Sequence, residues 1–575
     1  MRPLIQGIAT SHTPESLVEC LRGLSRRSEA KTDESGVVLL RTSSFDSPSA
    51  RYSFVAARPF LTFRSFGSRC EISCPVDVPR GGMNLRTSTT NNSPPTHVGG
   101  YVQFGNPWQI LDALLARCEL LDEIDLPFPL GGGFGYWGYD LKNFTEPKLP
   151  RRAVNDLALP DCHAGFCDSL VVFDHHLGKT FVVSTGLAGD GSRSEKRAEE
   201  QMEFWKSLLA TDAKGGAGSP LPAVERMLVH ERRARSDAPY LQSNLSRADF
   251  LSAVARAQRY IRAGDIYQVN LSQRLTVKLP RWGEAADEPP LQSSGAPRPA
   301  RGDQPSPGYG ATGARPTSRT GWELFQRLAA VSPAPFSAFF DCGDFQIVSS
   351  SPEQFLRLSG SHIQTRPIKG TRPRDADPTR DAQLAYELQT SAKELAELVM
   401  ITDLLRNDLG KVCEFGSVRT PELARLERFA QVQHLVSTVE GRLRKDVTHL
   451  AALAACFPGG SITGAPKFRT MEIIDELEPL ARGPYCGCHG YLGFNRESQL
   501  SITIRTAVCK DGLAHFNVGA GIVADSNPEA EYEETLAKAA GFLAALNQPR
   551  TPLNREQVDT DPAMRDGLPA VKSSS

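Results

Sequence analysis

The stretch IYQVNLSQRLTVKLP (266–280) has the pattern of a β-strand, and WELFQRLAAVSP (322–333) has the pattern of a helix. Between them, the segment 288–320 contains few apolar residues and many Gly, Pro and Ser residues, a composition typical of disorder. Because an orderly strand and an orderly helix flank this segment, we interpret 288–320 as a low-complexity insertion inside one domain. We do not interpret it as a domain boundary.

Strand and helix patterns also mix in the rest of the chain. Upstream, SGVVLLRTSSF (35–45) and KTFVVSTG (179–186) have strand patterns, and PLGGGFGYWGYDL (129–141) contains a Gly-rich turn. Downstream, strands and helices alternate without the regular βαβ spacing of a Rossmann fold or a barrel. The sequence therefore predicts the α+β class, with large sheets.

Charge and composition exclude several classes of protein. The 65 Lys and Arg residues balance 66 Asp and Glu residues, so no global field attracts nucleic acid or an anionic membrane. No signal-peptide core and no long apolar run occurs, so we expect a cytoplasmic protein that binds a small molecule. The 12 cysteines do not form a disulfide scaffold, and the spacing of Cys486 and Cys488 does not suit a zinc site.

Two pairs of glutamates have helical spacing. Glu394 and Glu397 lie on one side of a predicted helix, and Glu531 and Glu534 have the same spacing at the start of another. Each pair alone is simply explained as a solvated helix face. Taken together, with Gly-rich segments nearby, the four carboxylates are candidates for a Mg²⁺ site, since Mg²⁺ binds one or two carboxylates, waters and an anionic ligand.

Two glycine-rich segments and one arginine are candidates for binding an anion. FPGGSITGAPK (457–467) and FNVGAGIVAD (516–525) form either ordinary turns or a backbone surface that an anion can approach closely. Arg505 ends a strand pattern, and its guanidinium can bind a carboxylate through two hydrogen bonds. The chain contains no GxxxxGK[ST] motif, which disfavours a nucleotide phosphate as the ligand.

Ten motifs in this region resemble, in order and approximate spacing, those of the chorismate-utilising enzymes. The resemblance covers about 245–545 and implies a chorismate-binding catalytic region with packed β-sheets surrounded by helices in a single large domain. Residues 1–240 resemble the N-terminal part of the anthranilate synthase component I type, and we expect 548–575 to be a disordered tail. The motifs are GDIYQVNLSQR, SSSPEQF, PIKGTRPR, DLLRNDLG, QHLVS, PGGSITGAPK, RGPYCG, GYLGF, SITIRTA and GAGIVADSNPEAEYEET.

Within the family, the resemblance makes two positions decisive for the reaction. Family members that add water carry a basic lysine where this chain has Gln268, and a neutral amide cannot deprotonate water. This points to a nitrogen nucleophile. Anthranilate synthases typically have alanine in the PIAGT motif, whereas this chain has Lys369 in PIKGT and so resembles the aminodeoxychorismate synthases.

The resemblance implies a reaction through a covalent adduct. Lys369 attacks C2 of chorismate as the C4 hydroxyl leaves, and ammonia then adds at C4 and expels the lysine, giving 4-amino-4-deoxychorismate for para-aminobenzoate and folate synthesis. Glu353 matches the acid that protonates the departing hydroxyl. His434 matches a family histidine near that hydroxyl, although a histidine considered alone is usually structural.

The remaining site assignments are also implied by the resemblance. Glu397 and Glu534 match the principal Mg²⁺ ligands, with Glu394 and Glu531 as nearby or water-mediated partners. Leu398 departs from the family pattern, which usually has His or Asn after the first metal glutamate. The residues that match positions holding the carboxylates of chorismate are Gly370, Thr371, Tyr485, Arg505, Gly519, Ala520 and Gly521.

The reaction requires a source of ammonia. The chain contains no GxCxGxQ motif of a class I glutaminase, so we expect ammonia from a separate glutamine amidotransferase subunit. Two alternatives stay open: an anthranilate synthase component I and a non-enzymatic regulatory relative. The segments RTSSFD (41–46) and SPAPF (332–336) either pack in the core or form a tryptophan pocket such as relatives have.

Overall fold

The computed structural model describes residues 2–25, 36–42, 51–74, 99–121, 126–211, 241–280, 319–429 and 432–546. The predicted tail at 548–575 lies outside the described residues. So does most of the predicted insertion at 288–320, although a helix already begins at Arg319. Among the described residues, no helix is both long enough and apolar enough to cross a membrane.

Helices and strands follow one another through the described residues. The strands are β1 Leu4–Ile8, β2 Val38–Arg41, β3 Tyr52–Ala56, β4 Leu61–Phe66, β5 Arg69–Cys74, β6 Gly99–Phe104, β7 Gly132–Trp137, β8 Cys162–Cys167, β9 Ser169–Asp174, β10 Lys179–Ser184, β11 Gln242–Ser243, β12 Gln268–Lys278, β13 Phe336–Asp341, β14 Phe345–Ser351, β15 Gln354–Ser359, β16 His362–Thr365, β17 Ile368–Pro373, β18 Arg419–Arg428, β19 Val432–Arg442, β20 Gly464–Ala465, β21 Cys488–Gly493, β22 Glu497–Ile502, β23 Thr506–Lys510 and β24 Leu513–Ile522. The helices are α1 Pro14–Ser25, α2 Pro107–Ala116, α3 Lys142–Thr145, α4 Glu195–Ala210, α5 Arg247–Arg262, α6 Arg319–Val331, α7 Pro378–Thr390, α8 Ala392–Gly410, α9 His449–Cys456, α10 Lys467–Leu477 and α11 Pro528–Ala545, with short 3₁₀ helices at Tyr139–Leu141 and Gly460–Ile462.

The described strands form two antiparallel sheets of 12 strands each. The order in sheet 1 is β1-β10-β9-β3-β2-β13-β14-β23-β24-β12-β11, with β20 paired to β12. The order in sheet 2 is β17-β19-β16-β15-β22-β21-β7-β8-β4-β5-β6, with β18 paired to β19. Each sheet combines strands from before residue 240 with strands from after residue 245. The two parts of the chain therefore build one domain, and the α+β prediction is confirmed.

The two sheets pack against each other through a continuous apolar core. Phe54 of sheet 1 meets Tyr491 of sheet 2 edge to face, with ring centroids 5.2 Å apart. Phe340 and His489 make a similar contact between the sheets, at 5.9 Å. Strands β8 and β9 are buried along their whole length, which is why they carry almost continuous apolar or small residues rather than an alternating pattern.

Two of the places where the chain crosses between the sheets lie next to each other. It passes from β14 to β15 around Glu353, and returns from β22 to β23 around Arg505. The two crossing segments are hydrogen-bonded to each other, because Ile502 N–H donates to the Glu353 carbonyl at 3.0 Å and Ser350 N–H donates to the Arg505 carbonyl at 2.9 Å. These crossings place an acid and an arginine at the junction of the sheets.

A second, small apolar cluster fixes helix α8 onto sheet 2. Leu388 from α7, Leu398 from α8 and Leu435 from β19 are fully buried against one another. Leu398 therefore has a packing role, which accounts for an apolar residue at this position. The cluster holds the first turns of α8 over β17 and β19, the strands that carry Lys369 and His434.

Candidate active site

Lys369 lies on edge strand β17, beside helix α8. Its Nζ atom is 3.5 Å from Oε2 of Glu397, and each of the two side chains is 17% exposed. The helix begins at a defined point, because the side chain of Ser391 accepts a hydrogen bond from the backbone N–H of Glu394. This cap places Glu394 and Glu397 in the first two turns of α8, facing the strand with the lysine.

Gly370 produces a bulge between Lys369 and Thr371 in the pairing of β17 with β19. Its φ of +68° is in the left-handed region, where glycine is strongly favoured. A methyl group at this position would lie 2.7 Å from Leu388 Cδ1 and 3.1 Å from Glu394 Oε2. Glycine is therefore required both by the backbone conformation and by the close approach of α8.

Glu353 is buried next to the same strand. The hydroxyl of Ser461 and the backbone N–H of Ile368, the residue before Lys369, donate hydrogen bonds to its carboxylate. Burial raises the pKa of Glu353 to about 7, although Ser461 and the charge of Lys369 partly oppose this shift. A carboxyl group with such a pKa is protonated in a substantial fraction of molecules at neutral pH, so it can act as an acid.

His434 is buried on β19, opposite Thr371. Its Nδ1 atom lies 3.3 Å from the carbonyl oxygen of Gly370 and 3.0 Å from Thr371 Oγ1. Because the carbonyl can only accept, the ring proton is on Nδ1 and Nε2 is left as an acceptor. Burial, together with the positive charge of Arg505, lowers the pKa of His434, so the ring is neutral at physiological pH.

Gln268 and Gly521 complete the surroundings of the lysine. A methyl group on Gly521 would lie 2.4 Å from Gln268 Nε2 and 3.9 Å from Lys369 Nζ, so both side chains reach over this glycine. Gln268 is 2% exposed. Within the described residues, its Oε1 atom has no hydrogen-bond partner, which leaves a buried acceptor near the lysine amine.

Tyr485 and Arg505 are two further residues of the predicted site. The Tyr485 hydroxyl bonds to the Asn270 side chain and lies over Gly519, where a methyl group would be 2.8 Å from the hydroxyl oxygen. Arg505 is exposed, yet the surrounding protein desolvates its guanidinium and lowers its pKa. An accessible but desolvated group lies in a recess, and Arg505 forms no salt bridge with any described residue. It is therefore available to a carboxylate ligand.

The predicted metal-binding glutamates occupy the starts of two helices. Glu531 accepts a hydrogen bond from Ser526 at 2.6 Å, and its pKa is raised mainly by burial and further by the negative charge of Glu534. The charge of Lys393, at the start of α8, acts on Glu531 in the opposite direction, which places the starts of α8 and α11 near each other. A carboxylate whose pKa is raised by a neighbouring carboxylate lies in a negative site that favours a cation.

Basic side chains balance the other three glutamates. Lys369 contacts Glu397, Arg372 contacts Glu394 at 3.5 Å, and Lys538 contacts Glu534 at 2.8 Å. No group of three or more His, Cys, Asp or Glu side chains within the described residues is arranged to hold a metal. The donor set fits Mg²⁺, which needs only one or two carboxylates beside waters and an anionic ligand, and the assignment stays a prediction.

The structure thus brings together predicted residues from several distant segments of the chain, and other residues that were not among the predicted ones join them. Ser461 donates to Glu353, Arg372 pairs with Glu394, and Asn270 positions Tyr485. Ser461 and Arg372 lie inside the motifs PGGSITGAPK and PIKGTRPR, so those motifs contained a signal for both. Asn270 also lies inside a motif, GDIYQVNLSQR, although its contact with Tyr485, far along the chain, could not be read from that motif.

The two segments compared with a tryptophan pocket line one recess between the sheets. Arg41 and Thr42 come from the first segment, and Pro335 and Phe336 come from the second. The recess measures about 370 Å³, including space open to solvent, and His489 forms part of its wall. Residues 43–46 of the first segment lie outside the described residues. Both segments therefore contribute to a recess rather than only to the packed core.

Comparison with known proteins shows which family shares these features. The chain matches the chorismate binding enzyme family over residues 87–288 and 312–544. It is 40% identical over 422 residues to anthranilate synthase component 1 of Thermus thermophilus, covering 73% of this chain and 79% of that protein. It is 36% identical over 513 residues to aminodeoxychorismate synthase component 1 of Escherichia coli, covering 89% and 93%.

The fold has a close counterpart among solved structures. The crystal structure of anthranilate synthase component I from Streptococcus pneumoniae superposes with a TM-score of 0.63 and 26% sequence identity. The match covers 90% of this chain and 95% of that one. The relatives carry two different names at similar identity, so similarity alone does not decide between the two aminating reactions.

Proposed function

The chain belongs to the chorismate-binding enzyme family, and from this premise we propose that it is the large subunit of an aminodeoxychorismate synthase. The reaction converts chorismate and ammonia to 4-amino-4-deoxychorismate and water. The observation that supports this choice is Lys369, whose amine lies beside Glu397 and near the buried acid Glu353. An anthranilate synthase does not need an amine at this position.

In the first proposed step, the Lys369 amine bonds to C2 of chorismate and the ring double bonds shift as the C4–O bond breaks. Glu353 gives its proton to the departing oxygen, so water rather than hydroxide leaves. This step requires the neutral form of the lysine, since only an unprotonated amine has a lone pair to bond to carbon.

In the second step, ammonia bonds to C4, the double bonds shift back, and the bond between C2 and the lysine nitrogen breaks. The ammonia nitrogen gives a proton to the carboxylate of Glu353 as the lysine leaves, so the amine of Lys369 and the acid form of Glu353 are both regenerated for the next turnover. The unpartnered Oε1 atom of Gln268 can accept a hydrogen bond from the incoming ammonia. An amide at this position orients a nitrogen nucleophile without activating water.

The glutamates and Arg505 account for binding of the two carboxylates. We propose that Glu397 and Glu534 hold Mg²⁺, with Glu394 and Glu531 beside them, and the bound ion supplies positive charge for the ring carboxylate. Arg505 then binds the second carboxylate, since no described residue neutralises its guanidinium.

A product assay separates this proposal from the anthranilate synthase alternative. Purified protein is given chorismate, Mg²⁺ and ammonium at alkaline pH, with and without an added aminodeoxychorismate lyase. We expect para-aminobenzoate only when the lyase is present. Formation of anthranilate would instead show that Lys369 does not determine the position of amination, and no Mg²⁺-dependent turnover would support a non-enzymatic relative. The ammonia donor in the cell is proposed to be a separate glutamine amidotransferase.

Removing either principal metal glutamate should weaken the response to Mg²⁺. For Glu397→Gln and Glu534→Gln, we expect the Mg²⁺ concentration that gives half-maximal activity to rise by about 10-fold or more, because each substitution removes one anionic ligand. Glu533→Gln is the matched control, since Glu533 is exposed on the same helix. An unchanged Mg²⁺ response in both variants, measured by titration of chorismate turnover, would refute the assignment.

A further inference from the structure

Arg482 is a buried arginine that takes no part in the proposed mechanism. It lies in the loop after helix α10, and its side chain is 2% exposed. A charge so deeply buried needs a counter-ion and hydrogen-bond acceptors for its N–H groups. Its Nε and Nη2 atoms donate to the two carboxylate oxygens of Glu478, at 2.8 and 2.7 Å. Glu478 therefore balances the charge but uses only part of the donor capacity of the guanidinium.

Strand β12 anchors this ion pair. The Nη2 atom of Arg482 also donates to the carbonyl oxygen of Asn270, at 2.7 Å. Ser272, two residues further along β12, donates to Glu478 Oε1 from its backbone N–H at 2.8 Å and from its hydroxyl at 3.0 Å. The strand itself pairs with β24 along nearly its whole length. The guanidinium is thus fixed relative to sheet 1.

The third nitrogen of the guanidinium, Nη1, holds the glycine-rich segment 457–467. It donates to the carbonyl oxygen of Ile462 at 3.2 Å. Ile462 directly follows Ser461, whose hydroxyl donates to the carboxylate of Glu353. Two glycines precede Ser461, and glycine leaves the backbone more conformational freedom than other residues do. A contact from outside the segment therefore helps to fix the position of the serine hydroxyl.

The shape of the arginine side chain matters for these contacts. A guanidinium holds its three nitrogens in one plane, so it can reach several acceptors at once. The acceptors here are the Glu478 carboxylate and the carbonyl oxygens of Asn270 and Ile462. A lysine would balance the charge of Glu478 but has a single nitrogen. The two carbonyl contacts therefore explain why this position has arginine, and charge alone does not.

We propose that Arg482 is a positioning residue that fixes the Ser461 hydroxyl against the Glu353 carboxyl group. It acts through the carbonyl of Ile462 and not by contact with the substrate. The proposal rests on the proposed function, because Glu353 is the acid of that reaction.

The pH dependence of the reaction reports on this role. Only the protonated form of Glu353 acts as an acid, so kcat/KM for chorismate decreases with pH above its pKa of about 7. The hydrogen bond from Ser461 favours the charged carboxylate, so loss of this bond raises the pKa and moves the decrease to higher pH. The other titratable groups that interact with Glu353 are Lys369 and the buried thiol of Cys486, and a change at Arg482 replaces neither.

Arg482→Lys is the first variant to test. Lysine keeps a positive charge beside Glu478, but it cannot also reach the carbonyl oxygens of Ile462 and Asn270. At a constant concentration of neutral ammonia, we expect the maximum of kcat/KM for chorismate to fall about 10-fold or more, because the acid is less well positioned. We also expect the decrease to begin about half a pH unit or more higher. A merely structural role would lower the amount of active enzyme without moving this pH.

Two further variants complete the comparison. Arg197→Lys is the matched control, because Arg197 pairs with the buried carboxylate of Asp168 and lies on α4, which packs on β9 and β10 at the opposite end of sheet 1 from β12. It should change neither quantity. Ser461→Ala should move the decrease as Arg482→Lys does. In the Ser461→Ala background, Arg482→Lys should cause no further shift, and a second shift of full size would overturn the proposal.

The remaining outcomes separate this proposal from the proposed function. If the wild-type protein forms no aminated product, the proposed function fails. If it is active and Arg482→Lys leaves the pH of the decrease unchanged, the positioning role is refuted and the function stands. If Arg482→Lys does not fold, the double variant Arg482→Gln, Glu478→Gln decides, since it removes both buried charges and keeps an acceptor oxygen for Ser272. The same shift in the double variant supports the proposal; absence of the shift, or failure to fold, overturns it.

Discussion

Replacing Lys369 with alanine is expected to lower kcat/KM for chorismate by a factor on the order of 10⁴ or more, the size of effect seen when a covalent nucleophile is removed. The amine is the only group in the proposed mechanism that bonds to C2, so nothing else can start the reaction by that route. The prediction is checked by a steady-state assay in which added aminodeoxychorismate lyase converts the product to para-aminobenzoate. Mass spectrometry of the quenched enzyme is the second measurement. The wild-type protein should show a covalent adduct on the peptide with Lys369, and the variant should show none.

Lys369→Arg is the variant that distinguishes a nucleophile from a simple positive charge. Arginine keeps the ion pair with Glu397 but stays protonated, so it cannot attack carbon. We expect Lys369→Arg to be as inactive as Lys369→Ala. If the arginine variant retained most of the activity, the lysine would act only through its charge and the covalent mechanism would be wrong.

Glu353→Gln is expected to lower kcat/KM by about 10² to 10⁴, the usual contribution of a general acid. Glutamine has nearly the same shape and can keep the contact with Ser461, but it has no proton to give to the C4 oxygen. Glu440→Gln serves as the control, because Glu440 lies on β19 and contacts His362, away from the lysine. Retention of full activity by Glu353→Gln would assign the acid to another group.

The pKa of Glu353 also predicts the direction of the pH dependence. Its pKa of about 7 means that the carboxyl group keeps its proton below pH 7 and loses it as the pH rises further. At a constant concentration of neutral ammonia, kcat/KM for chorismate should therefore fall about 10-fold per pH unit above this pKa, because only the protonated form acts as an acid. The residual activity of Glu353→Gln should lack this decrease, and a decrease of equal slope in the variant would contradict the assignment.

The sequence predicted single elements well and their arrangement poorly. The strand predicted at 266–280 is β12, Gln268–Lys278, and the helix predicted at 322–333 is α6, which begins three residues earlier at Arg319. Periodicity reports which residues of one element face the core, so these elements could be predicted from the sequence. It does not report which strands pair, and the pairing of β12 with β24 joins residues as far apart in the chain as Val269 and Ile522.

The residues of the candidate site likewise fall into those that local sequence could predict and those that it could not. Lys369 and Glu353 were identified because each lies in a short motif, and Glu397 because of its helical spacing from Glu394; both kinds of signal are local. The hydrogen bond from Ser461, the burial of Glu531 and the packing of Leu398 against Leu435 depend on tertiary contacts that no local pattern contains. These contacts determine the pKa values and the helix positions. The sequence could therefore identify the residues, but their chemical properties became visible only in the structure.

The interleaving of both parts of the chain in each sheet has a consequence for synthesis on the ribosome. Sheet 1 places β2 beside β13, and sheet 2 places β7 beside β21. Neither sheet can therefore form its central strand pairs until the C-terminal strands have been made. An emerging N-terminal part therefore presents unpaired strand edges, which are templates for association with other chains. We expect fragments that stop before β21 to aggregate rather than to fold, and the full chain to depend on chaperones during translation.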